Sequence, residues 1–283
     1  LNTAERQQIA HHRLLPAEEF ASSPSAPAGP SLFALRMRQM IPCTVLFCVG
    51  LAILPWDLTI SDSLINHPLP RWIDKWISLA EVFAHGLGVF TILLAILILD
   101  PAHRRCVARL TVMSLGSGLF ANLGKLILAR ARPNSVLSHS SISETFADWL
   151  PGTGAGSEFQ SFPSAHMATA VGLAIGLSWL YPKGRWFFVT IACMAGAQRI
   201  VSGDHFTSDV LWGAAAAAFF TAGCIKHGIL VPWFDRFESA AVGANGPDSD
   251  ASLPISFRFK RQSLPNLNRI SENQPATTLP TLP

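Results

Sequence analysis

Apolar runs separated by short polar stretches fill the middle of the chain and predict helical segments. Six can be drawn, at residues 40–54, 82–99, 107–128, 165–180, 186–199 and 209–231. A bilayer core requires about 20 helical residues. The first, fourth and fifth segments are short by that measure, and each by itself also fits a buried helix of a soluble protein. Together the six predict an all-α fold, a six-helix transmembrane bundle.

A separate amphipathic stretch lies between the first two spans. Trp72, Ile73, Trp76 and Ile77 are spaced so that a helix places them on one face. Tryptophan favours the boundary between lipid and water. We therefore expect an interfacial helix here, lying at the level of the lipid headgroups.

Basic residues are distributed unevenly over the polar connections. Lys and Arg precede the first segment, separate the second from the third and the fourth from the fifth, and follow the sixth. Cytoplasmic connections are enriched in these residues, so we expect both termini in the cytoplasm. We expect residues 1–31 and 237–283, which are polar and rich in Pro and Ser, to be disordered cytoplasmic tails around a six-span domain at residues 32–236.

Composition narrows the class of protein further. The chain is 49% hydrophobic and 14% charged, with a mean hydropathy of +0.34, whereas soluble domains carry about 25% charged residues. A net charge of +3 is too small to indicate nucleic-acid binding. The five cysteines have no metal-ligand spacing. We expect a multi-pass protein of a bacterial inner membrane, with the bilayer as its partner and with no cofactor, no metal and no nucleic acid.

The first of three polar clusters follows the third segment. Lys125 and Arg132 are two helical turns apart, and Pro133 favours a helix end just before it. If the third span continues that far, the two cations share a face. Arg130 fits a side chain that extends to the membrane interface.

The second cluster begins the fourth segment. Pro163 and Ser164 precede an apolar run, as helix starts do. Free backbone N–H groups at Ser164, Ala165 and His166 would then point at an anion. A plain helix cap with a neighbouring histidine is the simpler interpretation of this cluster alone.

The third cluster joins the fifth and sixth segments and runs from Arg199 to Asp209. If a helix opens at His205, that imidazole and the Asp209 carboxylate lie one turn apart, and the carboxylate can orient the imidazole for attack. Counting spans brings all three clusters to one side of the membrane. Three cations with helix-start amides would hold a phosphate, and two histidines would serve an in-line displacement.

These motifs resemble the type 2 phosphatidic acid phosphatase family. The matching pattern is Lys125-x6-Arg132-Pro133, then Pro163-Ser164-x-His166, then Arg199-x5-His205-x3-Asp209, within about residues 80–230. The resemblance implies a six-helix membrane bundle and hydrolysis without a metal. It implies a phosphohistidine on His205, orientation by Asp209 and protonation of the leaving group by His166. It also implies that the phosphoryl oxygens are held by Lys125, Arg132, Arg199, Ser164 and the backbone near Ala165.

Two positions depart from the commonest family pattern, Ala165 where glycine is usual and Gln198 where serine is usual. Neither removes a catalytic group, so we expect an active membrane lipid phosphatase with its site facing the periplasm or exterior. Its substrate would be a lipid phosphate of the phosphatidic acid, phosphatidylglycerol phosphate, undecaprenyl diphosphate or lipid A type. A lipid phosphotransferase would use the same nucleophile and is the main alternative. A soluble haloperoxidase and a non-catalytic lipid-binding protein fit the apolar segments and the histidine pair less well.

Overall fold

The computed structural model describes residues 31–135, 141–152, 154 and 156–239. The predictions for the tails fall almost entirely outside this part of the chain. By internal contacts the chain divides into residues 1–35 and 36–283, and in the first unit only residues 31–35 are described. A helix already begins at Leu32, and the last described helix extends to Ser239, so residues 237–239 are helical where a disordered tail was predicted.

The described residues are mostly helical. The α-helices are α1 (Leu32–Ile53), α2 (Asp57–Asn66), α3 (Arg71–Leu79), α4 (Gly86–Leu99), α5 (Val107–Thr111), α6 (Ser117–Lys125), α7 (Ala165–Leu180), α8 (Arg185–Val201), α9 (Thr207–Ala222) and α10 (Val231–Ser239). A π-helical segment, Val112–Gly116, joins α5 to α6. The strands β1 (Leu128–Arg130) and β2 (Phe146–Trp149) form one antiparallel pair.

Two helices of the described residues are long and apolar enough to cross a membrane. They are Leu32–Asn66, which contains α1 and α2, and Arg104–Lys125, which contains α5 and α6. A third crossing results if Arg71–Phe83 and Gly86–Leu99, which meet at a 65° bend, form one span. Helix α7 is apolar but has only 16 residues, which is shorter than a bilayer core requires. The chain is therefore a helical membrane protein, and the count of six spans stays a prediction.

The third predicted span ends earlier than its apolar pattern indicates. Helix α6 ends at Lys125, and Leu128–Arg130 pairs with Phe146–Trp149 instead of continuing the helix. The partner strand supplies backbone hydrogen bonds from about 20 residues further along the chain, which a local pattern does not reveal. The prediction of one helical face shared by Lys125 and Arg132 is therefore wrong, and the mostly helical fold contains a short two-stranded sheet that the sequence did not predict.

Helix α7 lies at the centre of the helical packing, against α6, α8 and α9. At Gly172 an added Cβ would lie 2.1 Å from the Met113 carbonyl oxygen, and at Gly176 it would lie 2.7 Å from a Leu110 methyl group. Small residues thus let α7 approach the α5–α6 helix at backbone distance. This close packing fixes the start of α7, where the second polar cluster lies.

The helix predicted between the first two spans is present as α3. Trp72 and Trp76 are 66% and 62% exposed. Their exposure agrees with the interfacial location that we infer from tryptophan's preference for that region.

Candidate active site

Backbone hydrogen bonds join the three polar clusters. The Ser161 N–H donates to the Arg130 carbonyl oxygen at 3.0 Å, which ties the segment before α7 to β1. The Ser164 N–H donates to the Asp209 carbonyl oxygen at 3.1 Å, which ties the start of α7 to α9. Elements that are far apart in sequence therefore form one site.

His205 lies in the α8–α9 connection with only 2% of its surface exposed. Its Nδ1 is 2.6 Å from the Ser161 carbonyl oxygen. A carbonyl oxygen only accepts hydrogen bonds, so Nδ1 carries the proton and Nε2 keeps a free lone pair. The imidazole is thus held in the tautomer that a nucleophile requires.

Burial lowers the pKa of His205 to about 3, and the nearby positive charge of Lys125 acts in the same direction. Both effects disfavour a second proton on the ring. His205 is therefore held in its neutral form, and its Nε2 needs no separate base to free it.

Asp209 does not orient His205 in the way that the sequence predicted. Helix α9 begins at Thr207, so His205 precedes the helix and is not one turn before Asp209 on a helical face. The Asp209 Oδ2 accepts hydrogen bonds from the Phe206 N–H at 3.1 Å and from the Ser161 hydroxyl at 2.6 Å. A carboxylate in the first turn satisfies the free N–H groups there. Asp209 therefore holds Ser161, and the Ser161 carbonyl oxygen orients the imidazole.

Arg130 is fully buried beneath this arrangement, and the prediction that it reaches the membrane interface is wrong. Its Nη1 donates to the Asp209 Oδ1 at 2.6 Å, and its Nη2 donates to the Asp57 Oδ2 at 2.9 Å. The guanidinium also lies against the rings of Phe146 and Phe206, at 4.7 and 4.3 Å. Two carboxylates compensate the charge, so burial is possible where an unpaired cation would be excluded.

Asp57 connects this buried ion pair to the N-terminal helices. It is the first residue of α2, has no exposed surface, and accepts a hydrogen bond from the Ser208 N–H at 3.0 Å. The Ser208 hydroxyl bonds both Asp57 and Arg130. No motif marks Arg130, Asp57, Ser161 or Ser208 in the sequence, because their importance comes from partners in distant segments.

The predicted phosphate-binding cations lie around His205. Asp204 joins two of them, with Oδ1 3.0 Å from Arg132 Nη1 and Oδ2 3.4 Å from Arg199 Nη1. Burial raises the pKa of Asp204, but the hydrogen bond from Ser202 and the charges of Arg199 and Arg132 outweigh it, so the net shift is downward. Asp204 stays ionised and keeps both guanidinium groups at the site. Lys125, the last residue of α6, lies close enough to His205 for its positive charge to lower the pKa of that imidazole.

The start of α7 places His166 beside these cations. Ser164 caps the helix, its Oγ accepting a hydrogen bond from the Met167 N–H at 3.4 Å, which agrees with the predicted helix start. The prediction that the Ser164 N–H is free is wrong, since it bonds Asp209. The N–H groups of Ala165 and His166 belong to the first turn, where a helix offers no acceptor of its own.

Two further polar residues reach the site from the bend before α4. Glu81 Oε1 lies 3.0 Å from Arg199 Nη2, and the His85 ring lies 5.4 Å from the His166 ring, measured between centroids. In the sequence, Glu81 ends the connection before the second predicted span and His85 lies inside that span, and neither has a predicted part in the chemistry. Their i, i+4 spacing is a weak signal, common in ordinary helices.

The fold and this site define a helical membrane protein in which two histidines meet three cations. Residues 107–228 match the family model of the PAP2 superfamily. Two similar proteins are named Lipid A 1-phosphatase. The one from Rhizobium johnstonii is 36% identical over 105 residues, and the one from Rhizobium etli is 35% identical over 105 residues. Each match covers 37% of this chain, and 41% and 43% of the respective relative.

A solved structure, a transmembrane PAP2 type phosphatidylglycerolphosphate phosphatase from Bacillus subtilis, is 18% identical to the chain. The superposition has a TM-score of 0.46 and covers 70% of this chain and 96% of the other.

Proposed function

We propose that the chain is an integral membrane lipid phosphatase that removes a phosphoryl group through a phosphohistidine intermediate and without a metal. The observation that carries this proposal is the hydrogen bond between His205 Nδ1 and the Ser161 carbonyl oxygen at 2.6 Å. It leaves Nε2 unprotonated in a buried position beside three cations. A site that only binds anionic lipid has no need of such a nitrogen.

In the first step, the His205 Nε2 lone pair attacks phosphorus and the bond between phosphorus and the alcohol oxygen breaks. His166 donates a proton to that oxygen, so the alcohol leaves neutral. Lys125, Arg132 and Arg199 hold the phosphoryl oxygens, whose charge they compensate in the transition state. The N–H groups of Ala165 and His166 are available at the start of α7 for the same task.

In the second step, His166 accepts a proton from water, and the water oxygen attacks phosphorus. The bond between phosphorus and Nε2 breaks, inorganic phosphate leaves, and His205 regains its free lone pair. Throughout both steps the Ser161 carbonyl oxygen keeps the Nδ1 proton. The ring thus becomes positively charged only as the phosphohistidine, where the phosphoryl group compensates that charge.

A lipid phosphate is the substrate class that fits an apolar helical protein with a polar site at the ends of its helices. The lipid chains would stay in the bilayer while the headgroup meets the cations. Since two relatives are named Lipid A 1-phosphatase, lipid A is the first lipid to test, beside phosphatidic acid, phosphatidylglycerol phosphate and undecaprenyl diphosphate. We further propose a bacterial inner membrane location, six spans, cytoplasmic termini and a site open to the periplasm.

The decisive experiment measures phosphate release from these lipids by the purified protein in detergent with EDTA present. We expect release by the wild type and a loss of about a thousandfold or more in His205→Ala. His67→Ala is the matched control, because His67 is exposed at the end of α2, and we expect it to keep wild-type activity.

A phosphate-labelled lipid should also leave an acid-labile label on the wild type but not on His205→Ala. Full activity of His205→Ala, or complete inhibition by EDTA, would refute the mechanism. Transfer of the label to an added lipid alcohol instead of water would favour the phosphotransferase.

A further inference from the structure

The bend between α3 and α4 brings two side chains beside the candidate active site. The two helical pieces, Arg71–Phe83 and Gly86–Leu99, meet at 65°, and residues 84 and 85 lie at the break. The backbone N–H groups of Ala84 and His85 both donate to the Glu81 carbonyl oxygen, at 2.9 and 3.0 Å. At this break Glu81 lies beside Arg199 of α8, and His85 lies beside His166 of α7.

The contacts of this pair are with the acid and a cation of the proposed mechanism. Glu81 Oε1 lies 3.0 Å from Arg199 Nη2 and 3.8 Å from His85 Nε2. The rings of His85 and His166 are tilted against each other with centroids 5.4 Å apart. The side chains of His85 and Glu81 are 57% and 35% exposed, so both are accessible to a bound molecule.

This position is where the leaving group of the substrate must lie. In an in-line displacement the nucleophile and the leaving oxygen occupy opposite sides of phosphorus. His205 is 2% exposed, so the body of the substrate cannot extend past it. His166 has to reach the leaving oxygen, and the rest of the leaving group therefore passes His166 toward His85 and Glu81.

The charge of Glu81 discriminates between two kinds of leaving group. A phosphomonoester releases a neutral alcohol, whose hydroxyl groups can donate hydrogen bonds to a carboxylate. A lipid diphosphate releases a lipid phosphate instead, so its second phosphoryl group would lie beside the Glu81 carboxylate. That carboxylate is already paired with Arg199, so this guanidinium compensates the charge of the leaving phosphate less well. Repulsion between the Glu81 carboxylate and the leaving phosphate would raise the activation barrier for diphosphates. Repulsion of a competing substrate is an effective way to discriminate against it.

We propose that Glu81 and His85 form a leaving-group subsite that selects phosphomonoesters of neutral, hydroxylated lipids over lipid diphosphates. This inference rests on the proposed phosphatase activity. Glu81 supplies the repulsion, and His85 offers ring nitrogens for a hydrogen bond to the departing alcohol.

The experiment measures kcat/KM of the full chain in detergent for phosphatidic acid and for undecaprenyl diphosphate. In Glu81→Gln we expect kcat/KM for the diphosphate, divided by kcat/KM for the monoester, to rise about tenfold. Glu81→Asp keeps the charge, so its ratio should stay within about threefold of the wild type. Asp74→Asn is the matched control, since Asp74 is an exposed carboxylate seven residues earlier on the same bent helix pair, and its ratio should stay within about twofold.

An inhibition measurement on the wild type tests the same repulsion without a substitution, so it applies even if Glu81→Gln does not fold. Inorganic pyrophosphate should inhibit release from phosphatidic acid no more strongly than orthophosphate does, despite its higher charge. An unchanged ratio in folded Glu81→Gln, an equal rise in Asp74→Asn, or much stronger inhibition by pyrophosphate would overturn the subsite. Failure of the wild type to release phosphate from either lipid would instead overturn the proposed function and this inference with it.

Discussion

At the scale of single residues, two arginines of one short segment have different roles. Arg130 has no exposed surface and pairs with Asp209 and Asp57. The side chain of Arg132 is 30% exposed and shares Asp204 with Arg199. Arg130 positions the segment around His205 and Asp209 through buried ion pairs, whereas Arg132 is accessible to a phosphoryl group at the proposed site.

Replacing each arginine by methionine should separate these roles. Arg130→Met leaves two carboxylates buried without their cation, and we expect it to lower the free energy of unfolding by about 3–5 kcal/mol. Arg132→Met removes a partly exposed ion pair and should cost less than about 1 kcal/mol, yet lower kcat/KM by at least about tenfold through the lost phosphate contact. Thermal unfolding in detergent and phosphate release measure the two effects.

The two variants serve as controls for each other, since each deletes one guanidinium from the same segment. Equal stability losses would mean that the buried ion pairs contribute nothing special to the fold. Wild-type kcat/KM in a folded Arg132→Met protein would remove Arg132 from the proposed phosphate site.

At the scale of elements, the two-stranded sheet has an exposed apolar edge made of Leu126, Ile127, Trp149 and Leu150. Trp149 and Leu150 are 73% and 75% exposed, and the Leu150 N–H donates to the Ile127 carbonyl oxygen at 2.7 Å. Since the edge follows directly after Lys125, it adjoins the proposed phosphate site. Such a surface can receive lipid chains at the entrance of the site.

The double variant Trp149→Ala/Leu150→Ala should impair long-chain lipid substrates selectively. We expect kcat/KM for phosphatidic acid in mixed micelles to fall about tenfold, which corresponds to about 1.4 kcal/mol of lost apolar contact. A water-soluble aryl phosphate should change by less than about twofold. Trp186→Ala is the matched control, because Trp186 is exposed at the start of α8, at the opposite end of that helix from Arg199. We expect it to keep the wild-type kcat/KM for both substrates. Equal losses for both substrates, or the same loss in Trp186→Ala, would contradict a lipid entrance at this edge.

At the scale of the whole molecule, the last described helix, α10, forms ion pairs with a buried arginine of the third predicted span. Arg109 is buried, and its Nη2 donates to an Asp235 Oδ1 of α10 at 2.7 Å. Its Nε forms an ion pair with Glu238 Oε1 at 2.9 Å. Burial raises the pKa of Glu238 to about 7, and Arg109 offsets this only in part.

This raised pKa predicts a pH dependence of stability. Between pH 4.5 and 7 the folded chain retains a proton on Glu238 that the unfolded chain releases, so the contribution of this group is present at low pH and is lost as the pH rises through 7. We expect the melting temperature of the wild type to fall by about 3–8 °C more than that of Glu238→Gln between pH 5 and pH 8. Parallel pH profiles for the two proteins would show that the Glu238 pKa is ordinary in the folded state.

The spacing of residues along the chain was sufficient to predict several helices and most of the motif residues of the candidate site. The apolar runs, the cap at Ser164 and the tryptophan helix α3 were predictable because helix periodicity and capping depend on neighbours within about four residues. The motif residues His166, Arg199, His205 and Lys125 could be singled out because polar groups at the ends of apolar segments are unusual and because their combination resembles one family.

Only the tertiary structure decided how these residues act together. It replaced the end of the third predicted helix by β1, gave the orientation of His205 to the Ser161 carbonyl oxygen, buried Arg130 between Asp57 and Asp209, and brought Glu81 and His85 to the site. Each of these features depends on a partner more than about 15 residues away. Sequence alone determined which chemical groups this protein carries, and the fold determined which atoms face each other, because hydrogen bonds and buried charges are satisfied across the chain and not along it.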